Sequence, residues 1–481
     1  MSGRTATVAR RLSASLTRPW GGARAPGEPP VVRGWLPYLG CALPFGRDAP
    51  GFLQRCQQRH GDAFTIHLMG RRMSFLLDPR DYPLLFKQGD ALSFTPIARE
   101  ISTRAFGYRS VYSSGIDDHI FRETYSRHLR PGVMGPLAEC TQERMVEQLH
   151  RELDALPVDD DGWREVELLE LVGRTVFLAG VVAMFGRGPV DDALYRGFVR
   201  FDRQFARLAA GVPTRLLGTV ARDRDMLVDA LVEPWPEASA FVQDRRALLA
   251  PFVDDRESAR VRLSMLWASQ ANTIPAVFWA LALLLDDDAA MTVIRDEIDG
   301  AIERGTDGHA RLPASARARL RHLDSAVLES LRLCSGGISI RSVQQPLELS
   351  LVGGQRCALR PGDNLALFPF LSHRDPEIFE SPLEYRFDRF YSERGAKQFT
   401  KGGQRLGFAL MPFGGGDSMC PGRFLAQSEI KMFLAALLAD YDVATGDDHA
   451  LPGFDMSRAG LGILPPSTPL HIRLRPRTSR S

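Results

Sequence analysis

The stretch Met411–Phe433, MPFGGGDSMCPGRFLAQSEIKMF, sets three consecutive glycines ahead of a single cysteine, then Pro-Gly, then an unbroken helical pattern. Glycine tolerates positive φ and lets a backbone pass close to a flat object. Proline suits a first helical turn, so the spacing predicts a helix from Pro421 through GRFLAQSEIKMFLAALLADY. A cysteine at such a terminus is favoured as thiolate by the helix dipole and by free N–H groups. The full spacing is Phe413-x-x-Gly416-x-x-x-Cys420-x-Gly422-x-x-x-Ala426, and small residues at Gly422 and Ala426 keep that side of the helix thin. Together these features predict a seat for a planar macrocycle whose iron takes Cys420 as axial ligand. An ordinary glycine-rich turn before a core helix is the alternative, and it would not call for the whole spacing.

Outward from this loop, the composition is that of a globular chain: 481 residues, 44% hydrophobic and 25% charged, with a formal net charge of +2. So small a net charge gives no electrostatic case for nucleic acid. The six cysteines, Cys41, Cys56, Cys140, Cys334, Cys357 and Cys420, form no C-x-x-C pair and no zinc spacing, and read as reduced thiols. Residues 1–27 form a basic leader rich in Arg, Ser, Thr and Ala, the composition of a transit presequence, of a disordered arm, or of a start that has lost an anchor. No uninterrupted apolar run reaches the roughly 18 residues of a membrane span. The segment FARLAAGVPTRLLGTVARDRDMLV (Phe205–Val228) mixes apolar and basic residues in a way that suits a membrane surface.

PGEPPVVRGWLPYLGCALPF reads as a proline-punctuated tether into one large body spanning 28–476, followed by a short tail, 477–481. AFTIHL and MSFLLD form a hairpin around Gly70-Arg71-Arg72. Helical patterns dominate from Pro136 to Leu333. PLELSLVGGQRCALRPGDNLALF returns to strands with a turn at Gly353-Gly354, and SRAGLGILPPSTPLHIRLRPR reads as a hairpin and an edge strand. The expected class is mainly α with small β-sheets.

The helix SMLWASQANTIPAVFWALALLL (Ser264–Leu285) is apolar nearly all round, yet Ser269, Gln270, Asn272 and Thr273 interrupt it beside Pro275. A mid-helix proline cannot donate to the carbonyl four residues earlier, that of Ala271, and it pushes the turn open. The pattern predicts a kinked helix with a polar notch; Thr273 either bonds back to its own backbone or, with the Ala271 carbonyl and the Asn272 amide, offers polar groups in an apolar wall. SAVLESLRL puts Glu329 and Arg332 on one helix face, and EYRFDRF offers Arg389.

The cysteine loop, the E-x-x-R pair and the notch resemble the cytochrome P450 superfamily. That resemblance implies the P450 fold, a single haem-binding domain, haem b with Cys420 as axial ligand, and Phe413, Gly416, Gly422 and Ala426 around it. It implies a structural lock of Glu329, Arg332 and Arg389. The superfamily's usual basic residue two before the cysteine is Ser418 here, and Arg341 is the candidate for the haem propionates. Asn272 stands where an acid is common and Gln270 where a small residue is common, so a proton relay would use water and Thr273. LWASQANTIPAVFWA, AFGYRSV and SRAGLGILPP resemble the vertebrate sterol-hydroxylase branch. This implies a monooxygenase acting on a sterol at the 7-alpha position, the alternatives being 12-alpha hydroxylation or isomerisation of a lipid peroxide. Trp267, Ala268, Ala271, Ile338, Ser339, Ile340, Leu461, Ile463 and Leu464 would line the sterol site. Lys397, Lys401, Arg405, Arg423 and Lys431 would dock the electron donor. The donor would be the NADPH-dependent diflavin reductase on the cytosolic face of the endoplasmic reticulum, or a ferredoxin if the leader is mitochondrial.

Overall fold

In the computed structural model, Met69 and Gly70 both take positive φ, 49° and 76°, the requirement of a two-residue hairpin turn whose twist matches its strands. They join Ala63–Leu68 to Arg71–Leu76, antiparallel with Phe64 opposite Phe75. These two rings stack at 6.0 Å, and a buried Thr65–Ser74 hydroxyl pair at 2.7 Å holds the sheet's next rung. The structure describes residues 26–34, 36, 38–109, 111–112, 118–393, 397–446 and 450–477. The leader to residue 25, Ser110 within AFGYRSV, and the tail from residue 478 lie outside them.

The chain sorts into two units. The first takes residues up to Ile97, Gly336–Pro382 and Gln398–Ser418. Its sheet has six strands in the order Val31–Val32, Ala63–Leu68, Arg71–Leu76, Asn364–Leu367, Ser339–Val343, Leu92–Ser93. Asn364–Leu367 is buried at every position, as expected of a strand covered on both faces. A second hairpin pairs Leu347–Ser350 with Arg356–Leu359, turning through Gly354 at φ 74°. Leu76, Tyr82, Leu349, Cys357, Leu365 and Met411 share one apolar cluster here.

The second unit, Ala98–Ser335, Leu383–Lys397 and the chain from Met419, is helical. Asp254 caps the helix Asp255–Gln270 by accepting from the Glu257 amide, with Asp255 and Glu257 in the first turn where the dipole favours acids. Thr273–Leu285 follows, then Arg321–Cys334 and the cysteine helix Arg423–Asp440. His471–Pro476 is the middle strand of Tyr441–Thr445, His471–Pro476, Arg164–Glu167. It was expected at an edge; Arg164–Glu167, some 300 residues earlier, supplies the missing neighbour. Two stretches, Leu168–Phe185 and Asp255–Leu285, have the length and apolar composition of a membrane span, with 72% and 78% of those windows buried inside the fold. Neither is an uninterrupted apolar run: residues such as Glu170 and Arg174 break the first.

Candidate active site

The glycines of the cysteine loop answer first to a ring. A Cβ on Gly415 would approach the Phe86 ring to 2.7 Å, and one on Gly416, at φ 63°, to 2.8 Å. Phe86 in turn packs on Phe408 at 4.9 Å. Half-buried Phe413 opens this segment. Arg341 is 7% exposed. Its Nη1 donates to the Ile340 carbonyl at 2.9 Å and its Nη2 to that of Gly415 at 3.2 Å. The guanidinium lies 5.4 Å and 5.7 Å from the centres of the Phe86 and Phe94 rings. Among the described residues it has no carboxylate within ion-pairing distance. Burial pulls its pKa down, and Asp417 pulls the other way from a distance.

In the second unit, the cysteine helix begins at Arg423 with Gly422 at its cap, two residues later than the proline suggests. Pro421 and Gly422 form a turn that brings the Gly422 and Arg423 amides to the Cys420 sulfur. Burial pushes the thiol pKa up; the two amides and the Arg423 charge oppose this without overcoming it. The environment therefore prefers a thiol until a cation binds the sulfur. A Cβ on Gly422 would sit 4.0 Å from Sγ, an ordinary contact. Ala426 lies one turn on, donating to the Gly422 carbonyl at 2.9 Å.

Glu329, Arg332 and Arg389 come together, 0%, 0% and 4% exposed. Arg332 grips Glu329 with two bonds, Nε to Oε2 at 2.7 Å and Nη2 to Oε1 at 2.8 Å. Arg389 Nε adds a bond at 2.7 Å, and the Arg386 amide another at 3.2 Å. The Glu384 carbonyl accepts from both arginines, at 3.4 Å and 3.2 Å. Nothing in the sequence spacing pointed to the two backbone partners.

The notch helix is broken, where a kink was expected. It stops at Gln270 and restarts at Thr273, which makes Pro275 the third residue of a new helix. An amide there would have had no partner within its own helix. Thr273 Oγ1 donates to the Ser269 carbonyl across the break, at 2.8 Å. Asn272 Oδ1 accepts from the Ile463 amide at 2.9 Å. Gly462, at φ 128°, admits this contact: a Cβ there would lie 2.3 Å from Oδ1. Gln270 is accommodated by Gly180, whose Cβ would meet Nε2 at 2.7 Å, and its Oε1 is buried with no hydrogen-bond partner among the described residues.

Trp267 stacks on Phe205 at 3.7 Å and donates to Asp202 at 2.8 Å. Ala268 is exposed, Ala271 buried and Leu461 half-buried. Ile463 is 5% exposed. Leu464 is fully buried, its amide bonded to the Cys334 carbonyl and its own carbonyl to Trp279 Nε1. It is core packing, not a free wall. In the first unit, Ile338, Ser339 and Ile340 are half-buried.

Among the basic residues, Lys397 and Arg405 are exposed and Arg423 is half-buried. Lys401 is engaged by Asp375 and by Glu377 at 3.8 Å. Lys431 is a correction: it is buried, with Nζ 2.7 Å from both Asp324 and the Arg317 carbonyl, and belongs to no surface.

The family model for Cytochrome P450 matches residues 242–472. Cytochrome P450 7B1 of Mus musculus is 34% identical over 476 residues, covering 95% of this chain and 92% of the relative. The chain belongs to the cytochrome P450 family. Cytochrome P450 7A1 of Sus scrofa is also 34% identical, with 94% of each chain covered. A Sus scrofa 5-beta-cholestane-3-alpha,7-alpha-diol 12-alpha-hydroxylase is 33% identical over the same shares. Among solved structures, retinoic acid bound cyanobacterial CYP120A1 superposes with a TM-score of 0.70 at 19% identity, covering 94% of this chain and 99% of its own. That likeness speaks to the fold. A P450 is a haem-iron oxidoreductase that draws electrons from NAD(P)H through a redox partner to use dioxygen. The residues present fit that group. Arg341 is a buried cation with no carboxylate partner among the described residues, and Cys420 is a thiol that a metal would have to ionise.

Proposed function

We propose that this P450 hydroxylates a sterol, most closely in the manner of a 7-alpha-hydroxylase, in cholesterol and bile acid metabolism. The observation that carries the reading is likeness over nearly the whole chain to Cytochrome P450 7B1 and 7A1. The likeness to 12-alpha-hydroxylases at similar identity makes hydroxylation at that position the second reading. Isomerisation of a lipid peroxide, which needs no reductase, is disfavoured by the hydroxyl at Thr273.

Haem b would be held by Cys420 at the iron and by Arg341 at a propionate, with Phe413, Gly416, Gly422 and Ala426 alongside. When bound, the haem supplies activation of dioxygen, and a sulfur ligand favours O–O cleavage through electron donation. The chain supplies position and protons. Thr273 Oγ1 commits its own proton to the Ser269 carbonyl, so its lone pair is left to accept from water. Asn272 cannot release a proton but offers Nδ2 as a donor, its Oδ1 being occupied by Ile463. Trp267, Ala268, Ala271, Leu461 and Ile463, with Ile338, Ser339 and Ile340, would form the apolar walls that orient the sterol and exclude water.

NADPH is the proposed electron source through the diflavin reductase, which acidic groups would bring to Lys397, Arg405 and Arg423. The proposed location is the cytosolic face of the endoplasmic reticulum membrane; a mitochondrial location with a ferredoxin is the alternative. Between Phe205 and Val228, Leu216 is 68% exposed beside exposed Arg207, Arg215 and Arg222, which suits contact with an anionic membrane surface.

The test is incubation of the purified protein with reductase, NADPH and a panel of sterols, with products identified by mass spectrometry. Hydroxylation at carbon 7 is expected. The reduced carbon monoxide complex should show the red-shifted Soret band of a thiolate-ligated haem. Cys420→Ser should lose both band and turnover, while the other five cysteines are dispensable. Turnover of a lipid peroxide without reductase, and none of any sterol with it, would overturn the reading.

A further inference from the structure

The cysteine helix ends at Asp440, and there the second unit gathers two imidazoles around one carboxylate. His150, on the helix Gly135–Asp154, has Nε2 3.2 Å from Asp440 Oδ2. His309, in the turn between strands Glu303–Arg304 and Ala310–Arg311, has Nδ1 3.8 Å from the same oxygen. The three donor atoms all lie within 4.8 Å of one another. A tetrahedral zinc with N and O ligands at roughly 2.0–2.1 Å spaces its donors about 3.4 Å apart, so the two measured edges straddle the required length.

The polar contacts of the cluster converge on one point. His150 Nδ1 lies 2.9 Å from the Val146 carbonyl, which can only accept, so Nδ1 carries a proton and Nε2 is the nitrogen turned toward Asp440. His150 is 7% exposed, and its Nε2 has no hydrogen-bond partner. The contact with Asp440 is thus close in distance yet not a hydrogen bond. A cation placed between Nε2 and the carboxylate would give both a partner.

The outer contacts of the cluster are those that orient metal ligands. Val146 holds the His150 tautomer. Arg304 donates to Asp440 Oδ1 at 2.7 Å and the Ala310 amide to Oδ2 at 3.0 Å. The His150 and His309 rings stack at 3.4 Å with 27° between planes.

We propose that His150, His309 and Asp440 bind a borderline divalent metal of the zinc class, clamping the Glu303–Arg311 hairpin to the end of the helix whose other end adjoins Cys420. Two imidazoles and one carboxylate suit zinc and its first-row neighbours over calcium or magnesium, which prefer all-oxygen shells.

The experiment uses the full-length, haem-loaded protein stripped with a chelator and titrated with Zn²⁺ by calorimetry, with magnesium as competitor and the haem spectrum as a check on folding. One saturable site of micromolar affinity is expected, unaffected by millimolar magnesium, with a rise in Tm on loading. His309→Ala should weaken it at least tenfold; His309 is partly exposed, so the fold should survive, and His309→Gln is the second variant. His471→Ala, at an exposed histidine outside the cluster, should bind as wild type. Absence of a saturable site in the wild type, or unchanged affinity in both His309 variants, overturns the proposal.

Discussion

The Glu329–Arg332–Arg389 lock and the Asn272–Thr273 notch are both polar insertions into buried helices of the same unit, and they are finished in opposite ways. Glu329 accepts four bonds, from Arg332 twice, Arg389 and the Arg386 amide. At the notch, among the described residues, Thr273 Oγ1 has the Ser269 carbonyl, Asn272 Oδ1 the Ile463 amide, and Gln270 Oε1 no hydrogen-bond partner. The Ala271 carbonyl faces a proline that has no N–H to give. Buried charge is costly unless every lone pair and proton is matched, so the lock is a frame. Single-partnered groups leave room for water or a ligand oxygen, so the notch is where chemistry has space to occur.

The largest effect should come from breaking the frame. Arg332→Ala strips two bonds from a carboxylate that stays fully buried, at a cost of roughly 3–5 kcal/mol. Purified yield, haem-to-protein ratio and Tm should all fall steeply. A variant that loads haem normally at wild-type Tm would mean the lock is dispensable.

A second buried carboxyl has no such partners among the described residues. Glu429, on the cysteine helix, is pushed up to about 8 by burial. The folded chain thus keeps a proton that the unfolded chain gives up near pH 4.5, and the folded state binds more protons between these values. Stability from this group therefore falls as pH rises from about 4.5 to about 8, each pH unit being worth at most about 1.4 kcal/mol. Glu429→Gln should raise Tm by several degrees at pH 8.5 and change it little at pH 5. An equal change at both would show that the carboxyl does not titrate this way.

The contrast between lock and notch was partly legible in the sequence. Glu329, Arg332, Asn272 and Thr273 announce themselves because charge or amide in an apolar helix needs a reason. What a single sequence could not supply was partners far along the chain. Asn272 meets Ile463 across 191 positions, and Lys431 meets Asp324 across 107. Without Asp324, Lys431 reads as a surface cation. Without Gly180 to receive it, Gln270 reads as an anomaly. The proline likewise announced a disturbance, but whether a helix kinks or restarts depends on what caps the new end, and that cap is held by the loop around Ile463. The mainly helical fold with small sheets was legible from periodicity and turns, whereas the central place of His471–Pro476 depended on a strand at Arg164–Glu167.

Asn272 separates two jobs that the notch combines. Asn272→Ala removes the bond to the Ile463 amide and should cost about 1–2 kcal/mol, loosening the loop of Leu461 and Ile463. Asn272→Asp keeps an acceptor for Ile463 but loses the Nδ2 donor. If anchoring is what matters, the aspartate variant should resemble wild type in Tm and sterol affinity while alanine weakens both. If the donor matters, aspartate should keep its sterol affinity and fail in product formed per NADPH.

The smallest effect on stability, and the most telling for the comparison, belongs to Thr273. Thr273→Val keeps the shape and deletes one hydroxyl whose bond to the Ser269 carbonyl is worth about 0.5–1.5 kcal/mol. Sterol binding should hold nearly constant, because the walls are apolar and the volume is unchanged. Coupling should not: with no oxygen left at this position to accept from water, less product should form per NADPH consumed and more peroxide should escape. Thr273→Ser, which restores the oxygen, should recover most of the coupling even if its Tm is no better than that of valine. That divergence between Tm and coupling is what a purely structural threonine would not produce. Full coupling in the valine variant would move the proton path to Asn272 and water, leaving Thr273 as a tie across the helix break.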